Sequence, residues 1–321
     1  MLSYITTRLL SSLFILWVIS VLVFALMNAL PGDPAAGIVG VEATPELIEA
    51  TKRRLGLDKP LVERYGNWIW SALQGDLGTS LVNEVSINEL FSRRVPATMQ
   101  LGILSLIVVI SVAIPVGVVA ALRPGSKTEV GASSLMIIGN SIPEFLTGIA
   151  LIVVLGLELG WFPIFGYVPF WEDPAENMRH MALPVIAVSL TATTLLMRQT
   201  RSAMINVLND DYIRTARAKG LRERVVVVRH GLRNALIPII TVFGFQAGLI
   251  FSGAVITETV FAVPGMGRLF VDAVVNQQDF LVVQSVTMFF AIAVVLVNLV
   301  VDLTYPLLDP RIRMGAEGGG E

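Results

Sequence analysis

The chain has 321 residues, of which 54% are hydrophobic and 15% are charged, and its mean hydropathy is +0.73. Soluble domains usually carry about 25% charged residues, so this composition indicates a membrane protein with several spans. The sequence contains no Cys, which excludes disulfides, Fe–S clusters and cysteine chemistry, whereas the net charge of −2 hides an uneven distribution and indicates no partner.

The first apolar stretch, 9–30, is long enough to cross a hydrocarbon core of about 30 Å. Arg8 precedes it, which favours a cytoplasmic N-terminus. The stretch is too long for the apolar region of a cleaved signal peptide. We therefore predict that 1–30 forms the N-terminal segment and the first transmembrane helix. The sequence PGDP at 31–34 then predicts a turn.

A polar insertion with charges of both signs follows at 31–97. Helical patterning predicts two short helices in it, 45–55 with Thr44 as a cap and 65–73. The order of the spans places the insertion outside, and its Lys and Arg residues do not contradict this because the positive-inside rule weakens for long loops. A structured cap on the outer face and a contact surface for a substrate-delivery protein both remain open.

The rest of the chain contains five further apolar segments, at 99–122, 131–159, 181–197, 237–257 and 281–303. With the first helix they predict an all-α polytopic membrane protein that has six transmembrane helices and both termini in the cytoplasm. Residues 98–304 would form a five-helix transmembrane core. Residues 305–321 would form a cytoplasmic tail, of which 309–321, ending in GAEGGGE, would be disordered.

The segment 131–159 is too long for one straight span, and Pro143 interrupts it. A break at mid-membrane depth would place Glu144 inside the bilayer, where a carboxylate is usually functional. Alternatively, 131–141 lies in the interface and Glu144 is an ordinary acid in the first turn of the true span. The polar residues that we predict as candidates for a transport pathway are Asn140, Ser141, Glu144 and Gln246. Gln246 could equally form a hydrogen bond between helices.

The loop 201–236 is predicted to be cytoplasmic, because Lys and Arg are hard to move across a bilayer. Its central stretch, 210–238, carries seven Lys and Arg residues. Asp210 and Asp211 suit a helix start, 212–219 reads as a short helix, and Gly220 suits the position just after its end.

This short helix has two different faces. Ile213, Ala216 and Gly220 fall on one small, apolar face, and Arg214 and Arg217 fall on a neighbouring basic face. Such a helix could dock onto another protein, or the segment could be a solvated loop that only fixes topology. The residues alone leave both interpretations open.

The string ARAKG at 216–220, followed by RHGLRNALIP at 229–238, resembles the cytoplasmic "EAA" loop of ABC importer permeases, in the form found in the dipeptide/oligopeptide family. Arg214 stands where the usual pattern has Glu, and the spacing to Pro238 is longer than in sugar-type permeases. The strings at 55–81 and 258–284 also resemble this family, in the subunit that carries a long first external loop.

The resemblance implies a type I ABC importer-like permease in the cytoplasmic membrane, with a peptide-like substrate. It implies as partners a second permease subunit, two cytoplasmic ATP-binding subunits and an external solute-binding protein. The residues that it implies for coupling to the ATPases are Tyr212, Ile213, Arg214, Thr215, Ala216, Arg217, Ala218, Lys219, Gly220 and Leu221.

The sequence offers no chemistry of its own for an enzyme. Lys127 lacks the glycines of a Walker A motif, and His180 and His230 do not form an HExxH-type pair. We expect no cofactor or metal, no nucleic-acid binding, and ATP hydrolysis in partner subunits only. Two alternatives remain open: the same transporter class with nickel or glutathione as cargo, or an ATPase-independent channel or membrane scaffold.

Overall fold

A computed structural model describes residues 2–29, 44–54, 56–123 and 125–308. The predicted turn at 31–34 and the tail at 309–321 lie outside these ranges. Within them the regular structure is helical, apart from a single bridge between Thr79 and Ser86. The helices in chain order are α1 (Leu2–Ala29), α2 (Pro45–Arg54), α3 (Leu61–Leu73), α4 (Ile87–Leu122), α5 (Lys127–Ser141), α6 (Glu144–Leu151), α7 (Pro174–Leu208), α8 (Asp211–Ala218), α9 (Glu223–Val260), α10 (Met266–Val271) and α11 (Phe280–Leu308).

Wider, π-helical turns extend or interrupt three of these helices. They are Ile152–Glu158 after α6, Val226–Leu232 within α9, and Asp272–Gln277 after α10.

Among the described residues, five helices are long and apolar enough to cross a membrane: Ser3–Ala29, Ile87–Leu122, Pro174–Leu208, Glu223–Val260 and Phe280–Pro306. They contain five of the six predicted spans, and the all-α class is confirmed. Several continue well past the apolar segment, because polar residues of good helix propensity extend them beyond a bilayer's thickness. α4, for example, begins at Ile87, inside the insertion predicted at 31–97.

The remaining predicted span, 131–159, is divided between α5 and α6, and the break falls where the sequence indicated. Ile142 and Pro143 both have extended backbones there, with ψ of 122° and 142°. Proline lacks the N–H that a continuing helix needs, and it disfavours the helical conformation of the residue before it. Glu144 therefore becomes the first residue of a new helix.

α7 forms the centre of the bundle and packs against α4, α5, α6 and α9. Of the 18-residue apolar stretch of α7, 67% is buried inside the chain, compared with 17% for the corresponding stretch of α1. α1 lies at the periphery against α11, where the Tyr4 hydroxyl donates to the Asp302 carbonyl (3.1 Å) and Arg8 pairs with the Asp302 carboxylate (3.3 Å). Small residues allow neighbouring helices to approach closely. If Gly117 of α4 carried a methyl group, that group would lie only 2.7 Å from Thr200 Cβ of α7.

The predicted insertion is anchored to the start of α11 by a buried carboxylate. Asp279 accepts hydrogen bonds from Ser80 Oγ (2.6 Å) and the Leu81 N–H (2.9 Å), and it also accepts one from the Val282 N–H in the first turn of α11 (3.2 Å). Two segments almost 200 residues apart in sequence are thereby joined.

Candidate functional site

The inner face of α8 holds this short helix against the rest of the chain. Ile213 is fully buried and Ala216 is nearly so, and both pack with Leu208 of α7 and Val226 of α9. Two of the three residues of the predicted small, apolar face therefore point inward. A protein that docked onto α8 would contact its other side.

The C-terminus of α8 is closed by a left-handed glycine, as the sequence predicts. Gly220 has φ of +75°, its N–H donates to the Arg217 carbonyl (2.9 Å), and the Leu221 N–H donates to the Ala216 carbonyl (3.4 Å). This pair of hydrogen bonds is the Schellman motif, which satisfies carbonyls at the helix end. A methyl group added to Gly220 would meet no atom within 4 Å, so this turn faces open space.

Polar contacts connect α8 to the first three turns of α9. Arg217 donates twice to the Glu223 carboxylate, from Nε (3.2 Å) and Nη2 (2.8 Å), and these hydrogen bonds raise the pKa of Arg217 above its ordinary value. Asn234 Nδ2 donates to the Tyr212 hydroxyl (2.7 Å). These contacts join both ends of α8 to α9.

The outward side of α8 and its final turn contains the other eight of the ten predicted coupling residues. They are all exposed: Tyr212, Arg214, Thr215, Arg217, Ala218, Lys219, Gly220 and Leu221. Tyr212 and Leu221 add apolar surface to this basic patch, with 39% and 42% of their areas exposed.

A cavity of about 540 Å³ opens where α5 meets α6, and it is bounded on its other sides by α7 and α9. All four predicted pathway residues line it: Asn140, Ser141, Glu144 and Gln246. The structure thus brings together residues more than 100 positions apart. A volume of this size is ordinary for a small-molecule site.

Glu144 is held in this cavity by a contact with α9. Thr257 Oγ1 donates to Glu144 Oε1 (2.5 Å), and a methyl group on Gly253 would lie 2.6 Å from Oε2. The glycine therefore leaves the room that the carboxylate occupies. Gln246 also belongs to α9, where it precedes Gly253 and Thr257, and only 2% of its surface is exposed.

At the end of the bundle near α8, an ion pair joins α5 to α7. Arg201 of α7 contacts the Glu129 carboxylate of α5, which also accepts a hydrogen bond from the Gly125 N–H (2.7 Å). Ser126 Oγ in turn accepts from the Glu129 N–H (3.2 Å). The beginning of α5 is thus attached to the part of α7 that leads into α8.

A second buried carboxylate, at the far end of α9, was missed at the sequence level. Glu258 has no exposed surface and accepts from Thr98 Oγ1 (2.5 Å) and the N–H groups of Gly267 (2.7 Å) and Arg268 (3.1 Å). It holds the start of α10 against α4 and α9. The only signal in the sequence is the glycine pair of PGMG, where a side chain on Gly265 or Gly267 would collide with Glu258 or α9.

No group of three or more His, Cys, Asp or Glu that could hold a metal ion occurs in the described part of the chain.

Two family descriptions match this sequence. Residues 113–314 match the inner membrane component of binding-protein-dependent transport systems, and residues 1–102 match the N-terminal part of such membrane components. The chain belongs to this family. It is therefore a permease of an ABC importer, a transport component rather than an enzyme, and permeases of this kind work with ATP-binding and substrate-binding partners.

Relatives cover almost the whole permease. A protein of Brucella abortus (strain 2308), named as a candidate peptide transport system permease, is 40% identical over 299 residues, which are 93% of this chain and 95% of the relative. The glutathione transport system permease GsiC of Escherichia coli O6:H1 is 38% identical over 313 residues, which are 98% of this chain and 99% of the relative.

The fold of the permease is also found among solved structures. The inward-facing MetNI methionine ABC transporter matches with a TM-score of 0.57 and 18% identity, over 68% of this chain and 96% of that one. Family membership excludes the ATPase-independent channel or scaffold that the sequence had left open.

Proposed function

We infer that this permease imports peptides and that its substrate passes the cavity between α5, α6, α7 and α9. The observation that carries this proposal is the meeting of Asn140, Ser141, Glu144 and Gln246 at a helix break, in a cavity whose other lining residues are mostly apolar. Helices broken inside a bilayer are tolerated where they line a water-filled or ligand-filled space. The name of the Brucella relative supports a peptide as the cargo.

Glutathione is a second candidate cargo, favoured by the relative that covers 98% of the chain. It is itself a small peptide, so the same polar cavity suits it. Nickel stays an alternative to be assayed beside both.

The outward side of α8 is the docking surface for an ATP-binding subunit in this proposal. Movement of α8 would pass to α9 through the pair of Arg217 with Glu223 and the packing of Ile213 against Val226. It would pass to α7 through Leu208, and from α7 to α5 through the pair of Arg201 with Glu129. Both α5 and α9 line the cavity. Two series of contacts thus lead from the docking surface to the cavity, as coupling between two states of a bundle requires.

The complete transporter would contain this chain, a second permease subunit, two ATP-binding subunits and an external solute-binding protein. In it 1–30 and 98–304 form the membrane part, 31–97 faces outward, and the loop 201–236, the tail 305–321 and both termini face the cytoplasm.

The proposal is tested by purifying the tagged chain from its native membrane in mild detergent and identifying the proteins that accompany it. We expect a second permease and ATP-binding subunits, and we expect ATP hydrolysis by the complex to rise when peptide-loaded binding protein is added. Glutathione and nickel are assayed in parallel. Stimulation by one of them, and none by peptides, would replace the peptide assignment.

A further inference from the structure

The charge of the cavity is carried by one side chain. Of the fifteen residues that line it, all of which belong to the described part of the chain, Glu144 alone is an acid, and the lining contains no Lys, Arg or His. Asn140, Ser141 and Gln246 add neutral hydrogen-bonding groups. An anionic group in an otherwise neutral cavity selects for a cation.

The Glu144 carboxylate has capacity left for a ligand. A carboxylate has about four sites at which it can accept a hydrogen bond, and Thr257 Oγ1 occupies one of them. Within the described residues no cation lies within ion-pair distance of Glu144. The start of α6 supplies a partial positive charge, which explains why a carboxylate is tolerated there but leaves a net negative charge facing the cavity.

We propose that Glu144 binds the α-ammonium group of the peptide in transit. This deepens the proposed function and rests on it. Every peptide with a free N-terminus presents an ammonium group, whatever its side chains, and Asn140, Ser141 and Gln246 offer partners for backbone amides. Recognition through the N-terminus and backbone would let one cavity pass peptides of many sequences. A lysine side chain carries the same chemistry, so the test separates the two sources.

The test measures ATP-driven uptake of a labelled alanine peptide into proteoliposomes that contain the complete complex. The peptide is supplied with a free N-terminus, N-acetylated, and N-acetylated with one lysine. Each form is compared between the natural chain and Glu144→Gln, using one binding protein throughout. Preferences of the binding protein cancel when the ratio of free to acetylated uptake is compared between the two chains.

We expect Glu144→Gln to lower the preference for the free N-terminus by about 10- to 100-fold, as the loss of one charge-assisted hydrogen bond predicts. Uptake of the acetylated alanine peptide is the denominator of this ratio, so a general loss of transport in the variant cancels. The ratio of acetylated lysine to acetylated alanine uptake should be the same in both chains. A fall of that ratio in Glu144→Gln would overturn the assignment to the α-ammonium. Glu158→Gln is the matched control, because it removes an exposed acid after the same helix, outside the cavity lining.

The outcomes separate this inference from the proposed function. An unchanged preference in Glu144→Gln, with peptides still taken up, overturns the inference alone. Failure of the natural complex to take up any peptide overturns the proposed function. If the Gln variant does not assemble, Glu144→Met removes the charge with a side chain of similar length, and the same ratio decides.

Discussion

At the scale of single residues, two carboxylates on or near α9 perform different tasks. Glu144 faces a cavity with most of its accepting capacity free, whereas Glu258 is fully buried and its oxygens accept from a hydroxyl and two N–H groups. Thr98 extends the second network, because its Oγ1 also accepts from the Met266 N–H (2.7 Å). Glu258 therefore stabilises a junction of three helices.

Replacing Glu258 with Ala should destabilise this junction. The N–H groups of Gly267 and Arg268 would lose their acceptor inside the chain, and each unsatisfied buried group costs about 1–3 kcal/mol. We expect the free energy of unfolding to fall by about 3 kcal/mol in total. The fall would be measured as a lower apparent melting temperature of the detergent-purified protein. Glu258→Gln keeps one acceptor oxygen and should lose less.

Glu158→Ala supplies the control for that experiment, because Glu158 is exposed. A surface substitution of this kind usually changes stability by about 0.5 kcal/mol or less. Equal melting temperatures for the Glu258 and Glu158 variants would contradict the role assigned to the buried network.

At the scale of elements, α8 is a short helix fixed at three places. Ile213 and Ala216 pack inward, Arg217 binds Glu223, and Gly220 closes the C-terminus with a left-handed turn. A helix of eight residues is not stable by itself, so these contacts give it one position on the bundle. A fixed position is what a docking element needs.

Gly220→Trp should abolish substrate-stimulated transport while the protein still accumulates in the membrane. A Cβ at this position would meet no atom of this chain within 4 Å, so the bulky ring would extend from the exposed turn toward a docked ATP-binding subunit. Uptake in cells and the amount of protein in the membrane are the two measurements. Gly220→Asn is the matched control, since Asn tolerates a left-handed backbone and is much smaller. Normal uptake in the Trp variant would exclude docking at this turn.

At the scale of the whole molecule, α9 separates two ends with different chemistry. It runs from Glu223, which binds Arg217, to the residues that hold α10, and its 38 residues span about 57 Å. A bilayer core is about 30 Å thick, so α9 is long enough to place α8 and α10 on opposite sides of the membrane, as the proposed topology requires. The insertion is fixed to the α10 side through Asp279.

This arrangement predicts which residues are reached from each side. Because the sequence contains no Cys, single cysteines can be introduced without removing others. Val62→Cys, at a position that is 83% exposed, should react with a membrane-impermeant maleimide added outside intact cells. Ser3→Cys and Lys219→Cys should react only in inside-out vesicles. Labelling of Ser3→Cys from outside would place the N-terminus on the wrong side and contradict the proposed topology.

The features that were predictable from sequence are those set by neighbouring residues. Pro143 breaks a helix wherever it stands in one, and Gly220 can adopt a left-handed turn without help from distant contacts. Asn140, Glu144 and Gln246 could be selected as candidate pathway residues from local sequence as well, because polar residues are conspicuous in apolar segments.

The features that were not predictable depend on distant contacts. Thr98 and Glu258 are 160 residues apart, and Ser80 and Asp279 are 199 apart. Nothing local to either member of such a pair specifies the other. The inward orientation of Ile213 was also missed, because helical periodicity identifies an apolar face but not the surface that it contacts.

The length of α7 has a consequence for the electric field around α8. If the predicted span 181–197 fills the bilayer, residues 198–208 carry the helix about 16 Å farther into the cytoplasm. Lipid headgroups occupy roughly the first 6 Å of that distance, and the remaining length of about 10 Å is slightly more than one Debye length at physiological ionic strength. The negative potential of the headgroups would then be partly screened at α8. Arg214 and Lys219 would attract an acidic protein surface in contact with them more strongly than they attract the membrane. Acidic lipids should therefore influence the docking of an ATP-binding subunit less than the charges of that subunit itself.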